Sequence, residues 1–128
     1  MASREDVQDF LDRLADSSEE VDEGLWVLSA QSDGGQIVVN YAPPVVVFRV
    51  NVMELPADGA KRTELMRKLL ELNAGDLVHG SYGIEGSTVV LTDALPIEDL
   101  SFGEFQAAVD SINLALGSHM SALATYQE

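Results

Sequence analysis

Apolar positions along this chain switch between two periods. Val7, Phe10, Leu11 and Leu14 recur at the three- and four-residue spacing of one helical face, and Ser3 with Asp6 three residues later resembles a capping box. A first helix is expected over about residues 4–16. The stretch Asp16-Ser17-Ser18-Glu19-Glu20-Val21-Asp22-Glu23-Gly24 has no apolar period and reads as an exposed acidic loop. Leu25 to Ala30, which holds the only Trp, and Gln36 to Ala42 then read as the strands of a hairpin across the turn Ser32-Asp33-Gly34-Gly35. Pro43-Pro44 cannot donate to a ladder and marks the break before Val45 to Met53, the most β-prone run and the expected central strand of a three-stranded meander. Alternation places Val46, Phe48, Val50 and Val52 on the core side, and Val45, Val47, Arg49, Asn51 and Met53 on the other.

Leu55-Pro56 ends that strand and Asp58 can cap a second helix over about residues 59–73, whose broad stripe of Leu65, Met66, Leu69, Leu70 and Leu72 covers about half its circumference. Such width suits burial on two sides, against the chain's own sheet and against a second body. Tyr82 and Ile84, the turn Glu85-Gly86, and Val89 to Leu91 running towards Leu95-Pro96 form a second hairpin. Ser101-Phe102-Gly103-Glu104 is a capping box for a third helix, with Phe105, Val109, Ile112 and Leu116 on one face, running from about residue 102 to between 116 and 125. The order α-β-β-β-α-β-β-α, with no repeat and no linker, predicts one α+β domain over residues 1–128, an antiparallel sheet with helices on one face.

Composition narrows the chemistry. The chain has 128 residues, 22 Asp and Glu against 7 Lys and Arg, a net charge of -15 and no Cys. Thiolate chemistry and disulfides are excluded, and a field of this sign repels nucleic-acid phosphate and anionic lipid, so neither is an expected partner. Met1 to Asp6 lack the basic-then-apolar order of a signal peptide and no apolar run approaches the roughly 18 residues that span a bilayer, so a cytoplasmic location is expected. Four of the seven cations, Lys61, Arg62, Arg67 and Lys68, fall on the second helix, without the aromatic residues that a nucleic-acid track would interleave. A calcium loop starting at Glu19 fails because Val21 stands third and Ala30 twelfth. A nucleophile elbow at Ser81 fails because His79 stands where glycine is required, and the glycines at 80, 83 and 86 lie in a hairpin and so form no phosphate cradle. His79 near Asp76 reads as a surface histidine and His119 as a partly buried or capping one, with no metal constellation and no cofactor expected. No enzyme activity is expected.

Several segments together carry a resemblance. Leu69-Leu70-Glu71-Leu72-Asn73, His79-Gly80-Ser81-Tyr82-Gly83-Ile84, Val89-Val90-Leu91, Leu95-Pro96 and the capped Leu100-Ser101-Phe102-Gly103-Glu104-Phe105 resemble the YbjN-type domain family, within the type III secretion chaperone-like superfamily. The resemblance spans nearly the whole chain and rests on helix ends and a hairpin, with no reactive residues. It implies a small acidic α+β domain, commonly homodimeric, that binds a polypeptide partner or acts as a sensory transduction regulator. The residues agree with a non-catalytic, chaperone-like or regulatory adaptor: Val45, Val47 and Met53 are expected to form a partner-binding patch on the open side of the sheet, and Leu65, Met66, Leu69 and Leu70 a homodimer interface. The alternative is a small-molecule sensor or minor enzyme using a pocket between the third helix and the sheet, with His79 or Asp76 supplying polar contacts.

Overall fold

A computed structural model describes residues 1–14, 17–29, 35–77 and 79–127 of the chain. The elements run α1 (Arg4–Arg13), β1 (Ser18–Asp22), β2 (Leu25–Ser29), β3 (Gln36–Ala42), β4 (Val45–Glu54), α2 (Gly59–Gly75), β5 (Ser81–Glu85), β6 (Thr88–Pro96) and α3 (Phe102–Ala124). The strands make one antiparallel sheet in the order β1-β2-β3-β4-β6-β5, so the α+β class holds; β4, expected at the centre of a three-stranded meander, instead ends the meander and lies inside the sheet between β3 and β6. Both capping boxes form, Ser3 with Asp6 and Ser101 with Glu104, and the Asp58 carboxylate accepts from the Lys61 N–H at 3.0 Å to start α2. The expected end of the first helix at residues 15 and 16, the last strand residue Ala30 and the turn residues 32–34 lie outside the described residues.

One strand more is present than the apolar period predicts. The acidic segment expected as a loop supplies β1, with Ser18, Glu19 and Glu20 opposite Leu28, Val27 and Trp26, so the meander has four strands. An edge strand needs main-chain pairing on one side only, and charged side chains are tolerated there because solvent reaches both faces. Glu20 turns towards the core side, where its carboxylate accepts from the Arg4 guanidinium and, at 3.0 Å, from the Gly24 N–H. The Gly24 amide first and Arg4 second hold the Glu20 carboxyl below its ordinary value of 4.5. A depressed carboxyl stabilises the fold above its ordinary pKa and ceases to do so as pH falls through the lowered one. The urea midpoint is therefore expected to fall more steeply below about pH 4.5 in the wild type than in Glu20→Gln; equal slopes would remove β1 from the acid response.

The core lies on one side of the sheet. Trp26, Leu28, Ile37, Val39, Val46, Phe48, Val50, Val89 and Leu91 alternate inward beneath Val7 and Leu11 of α1, Leu65, Leu69 and Leu72 of α2, and Phe105, Ile112 and Leu116 of α3. The Phe105 ring joins three elements, its centroid 5.2 Å from Phe48 and 5.5 Å from Phe10. Before β5 the chain passes so close to β6 that a Cβ on Gly80 (φ +76°) would lie 2.6 Å from the Thr92 carbonyl oxygen, which only glycine avoids.

Two sets of face assignments change. A β-bulge between Asn51 and Met53 inserts Val52 as an extra residue, so Met53 pairs with Val89 on the core side and is only 8% exposed. The open-face position expected for Met53 is therefore overturned. On α2, Leu65 (0% exposed) and Leu69 (4%) are committed to the chain's own core, which removes them from the expected dimer seam. Met66 is half-buried and Leu70 remains 68% exposed, because the stripe is wider than the sheet can cover.

Candidate docking surface

The three helices cover one side of the sheet, and the side chains on its other side stand outside the core cluster. Register defines this open face row by row. Leu25, Asn40, Val47 and Ala94 lie opposite one another across β2, β3, β4 and β6, and the next row is Val27, Val38, Arg49 and Thr92. Val45 stands at the end of β4, opposite Ala42 and Pro96. Leu25, Val27, Val38, Val45 and Val47 are half-buried by their strand neighbours, and Ala94 is exposed.

The sheet brings Val45 and Val47 together as expected, two residues apart on one face. It adds Leu25, Val27 and Val38, whose signal was the same period-two alternation in β2 and β3. Met66 and Leu70 belong to a helix on the opposite side of the sheet and form no part of this face.

One ion pair clasps this face. Arg49 is the only Lys or Arg in the six strands. Its Nη1 donates to Glu85 Oε2 at 2.6 Å and its Nε to Asn51 Oδ1 at 3.3 Å. Since Arg49 lies in the Thr92 row on β4 and Glu85 in the Thr88 row on β5, the pair crosses β6 above Val90. Val90 is 6% exposed although it stands outside the core cluster.

The fold fits a recognised group of proteins. The CesT_Tir_1 family matches residues 1–128, the whole chain. The chain belongs to the CesT_Tir_1 family, the type III secretion chaperone family. Its fold is similar to that of YbjN from E. coli, at 12% identity and a TM-score of 0.68 over 94% of this chain and 93% of that one. It is also similar to a chain of the HopA1–SchA chaperone–effector complex (13% identity, TM-score 0.63, 88% of each chain). A third likeness is to a chain of the heterodimeric ExoU–SpcU complex from the type III secretion system of Pseudomonas aeruginosa (16% identity, TM-score 0.60, 80% of this chain and 83% of that one). At these identities the likeness is one of fold. No curated protein matches the chain.

A second concavity lies where the C-terminal end of α2 meets α3. It is a cleft of about 400 Å³ lined by Asp76, Leu77, His79, Ser111, Leu114 and His119, among others. His79 is exposed, as the sequence suggests, whereas His119 is 6% exposed in the body of α3 and caps nothing. Its Nδ1 lies 2.8 Å from the Tyr82 hydroxyl and its Nε2 3.4 Å from Asp76 Oδ2. Burial pushes the Tyr82 phenol up to about 12, so the hydroxyl that meets His119 stays protonated. These contacts tie α2, β5 and α3 together. Among the described residues no group of three His, Asp or Glu side chains could hold a metal ion, and no helix is long and apolar enough to cross a membrane.

Proposed function

We propose that this chain is a non-catalytic, cytoplasmic chaperone-like or regulatory adaptor that holds a polypeptide partner against the open face of its sheet. The observation that carries this is the uncovered apolar surface of Leu25, Val27, Val38, Val45 and Val47 in a chain whose helices all lie on the other side. Family membership supports it, as does the similarity to a chaperone–effector complex. Partner apolar side chains would be buried on the face while the -15 charge keeps the assembly soluble. The same chain works as a homodimer in this proposal, with the exposed Leu70 and half-buried Met66 of α2 as the seam.

The test is affinity capture from the native cell's lysate with wild type and Val47→Asp in parallel, read by mass spectrometry. A polypeptide held by the wild type is expected to be lost from a Val47→Asp chain whose circular dichroism is unchanged. Retention of that polypeptide by the folded variant would exclude the face. Light scattering on the wild-type preparation is expected to give twice the 13.8 kDa chain mass, and a monomer mass would exclude the seam.

A further inference from the structure

Two concavities adjoin along α3, on the helix side of the sheet. One is the cleft of about 400 Å³ between α3 and the end of α2. The other, of about 380 Å³, is lined by Asp110, Leu114 and Ser118 among others, so the two share Leu114 and Ser118 and form one groove. Residues four apart lie on one helical face, which sets Asp110, Leu114 and Ser118 in a line. The helical rise puts Asp110 and Ser118 about 12 Å apart along the axis.

Each end of this groove carries a carboxylate. At one end Asp76, 59% exposed, has an oxygen 3.4 Å from Nε2 of His119, the residue after Ser118. At the other end the Asp110 carboxylate is exposed and bonds to no described side chain. The helix α2 also ends at the cleft, with Gly75 in its wall and no Lys or Arg in its last turn, so the negative end of the helix dipole adds to Asp76. Among the described residues no Lys or Arg lines either concavity. Between the two carboxylates the surface is apolar, with Leu114 72% exposed and Leu77 in the wall formed by the end of α2.

A groove negative at both ends and apolar between them selects its ligand. An anion would be repelled, the more so by a chain of charge -15. A metal ion is a single compact charge, and among the described residues no three His, Asp or Glu converge to hold one. A chain of methylenes with an ammonium at each end fits both features, since each ammonium donates to a carboxylate and the methylenes cover Leu114.

We propose that this groove binds a linear aliphatic polyamine, one terminal ammonium held at Asp76, the other at Asp110, and the hydrocarbon between them over Leu114. The groove lies on the opposite side of the sheet from the open face and does not depend on it. The test is titration of the full chain with spermidine, followed by amide NMR. Hexaamminecobalt(III), a compact cation of the same charge, controls for general attraction to an acidic chain.

Spermidine is expected to shift the amides of Asp76, Leu77, Ser111, Leu114 and Ser118 saturably. Its Kd is expected to rise about tenfold in Asp76→Asn and in Asp110→Asn, each of which removes one charged acceptor. Leu114→Ser, at an exposed position, is expected to raise Kd about threefold with unchanged circular dichroism. Equal shifts at these amides by hexaamminecobalt(III) would reduce the effect to charge attraction and overturn the proposal. So would shifts centred on the acidic segment 19–23, a spermidine Kd unmoved by Asp110→Asn, or no saturable shift at all. Each of these outcomes leaves the Val47→Asp capture result standing, so the groove and the face fail separately.

Discussion

Truncating Phe105 to alanine is expected to destabilise the chain by about 3–5 kcal/mol, a large share of the roughly 5–15 kcal/mol by which a domain of this size is folded. Phe105 is 0% exposed and its ring meets Phe48 of β4 and Phe10 of α1, so it is the contact through which α3 holds both the sheet and the first helix. Neither neighbour is free to collapse into the space. Phe48 is fixed in the central strand, paired with Val39 and Asp93, and Phe10 is also held against Phe102 at 6.0 Å. The residual cavity should therefore add its own cost to the lost transfer energy. Urea unfolding followed by circular dichroism measures the difference. Leu114→Ala on the same helix, where the side chain is 72% exposed, is expected to change stability by no more than about 0.5 kcal/mol. A Phe105→Ala loss below about 1 kcal/mol would mean that the aromatic cluster does not join the layers as its geometry implies.

The sequence made α3 and its Phe105 legible because two signals agreed: a capping box at Ser101 and Glu104, and an apolar stripe repeating at helical spacing. The third strand was legible to its end residues because Gln36 to Ala42 alternates between a turn and a proline pair. The strand β1 was hidden because Ser-Glu-Glu-Val-Asp has no apolar face; what holds it is pairing with β2 and the Arg4–Glu20 contact from a helix 16 residues away in sequence. The candidate surface was half legible. Val45 and Val47 follow from alternation alone, but Met53 lies beyond a bulge, and one inserted residue reverses every face assignment after it. Leu65 and Leu69 could not be told from Leu70 by pattern, since a stripe of half the circumference does not state which part the sheet takes. The buried pair Tyr82 and His119 is 37 residues apart in sequence and left no local signal at all.

Removing Asn73 is the second large expected effect. Asn73→Ala deletes both bonds to the Tyr82 main chain in a half-buried position, for an expected loss of about 1–3 kcal/mol. Asn73→Asp separates this from a merely steric role. A carboxylate still accepts from the Tyr82 N–H, but its second oxygen faces the Tyr82 carbonyl, acceptor against acceptor, and adds negative charge near the C-terminal end of α2, where the helix dipole disfavours it. At neutral pH Asn73→Asp is therefore expected to be at least as unstable as Asn73→Ala. A protonated carboxyl regains a donor, so a group whose pKa is raised by folding stabilises on the acid side of its ordinary value near 4 and loses that contribution as pH rises. Urea midpoints for the two variants at about pH 7 and about pH 4 should thus draw apart, with Asn73→Asp gaining on Asn73→Ala in acid. A constant gap would show that the donor to the Tyr82 carbonyl is dispensable, and that α2 holds β5 by packing instead of by its amide.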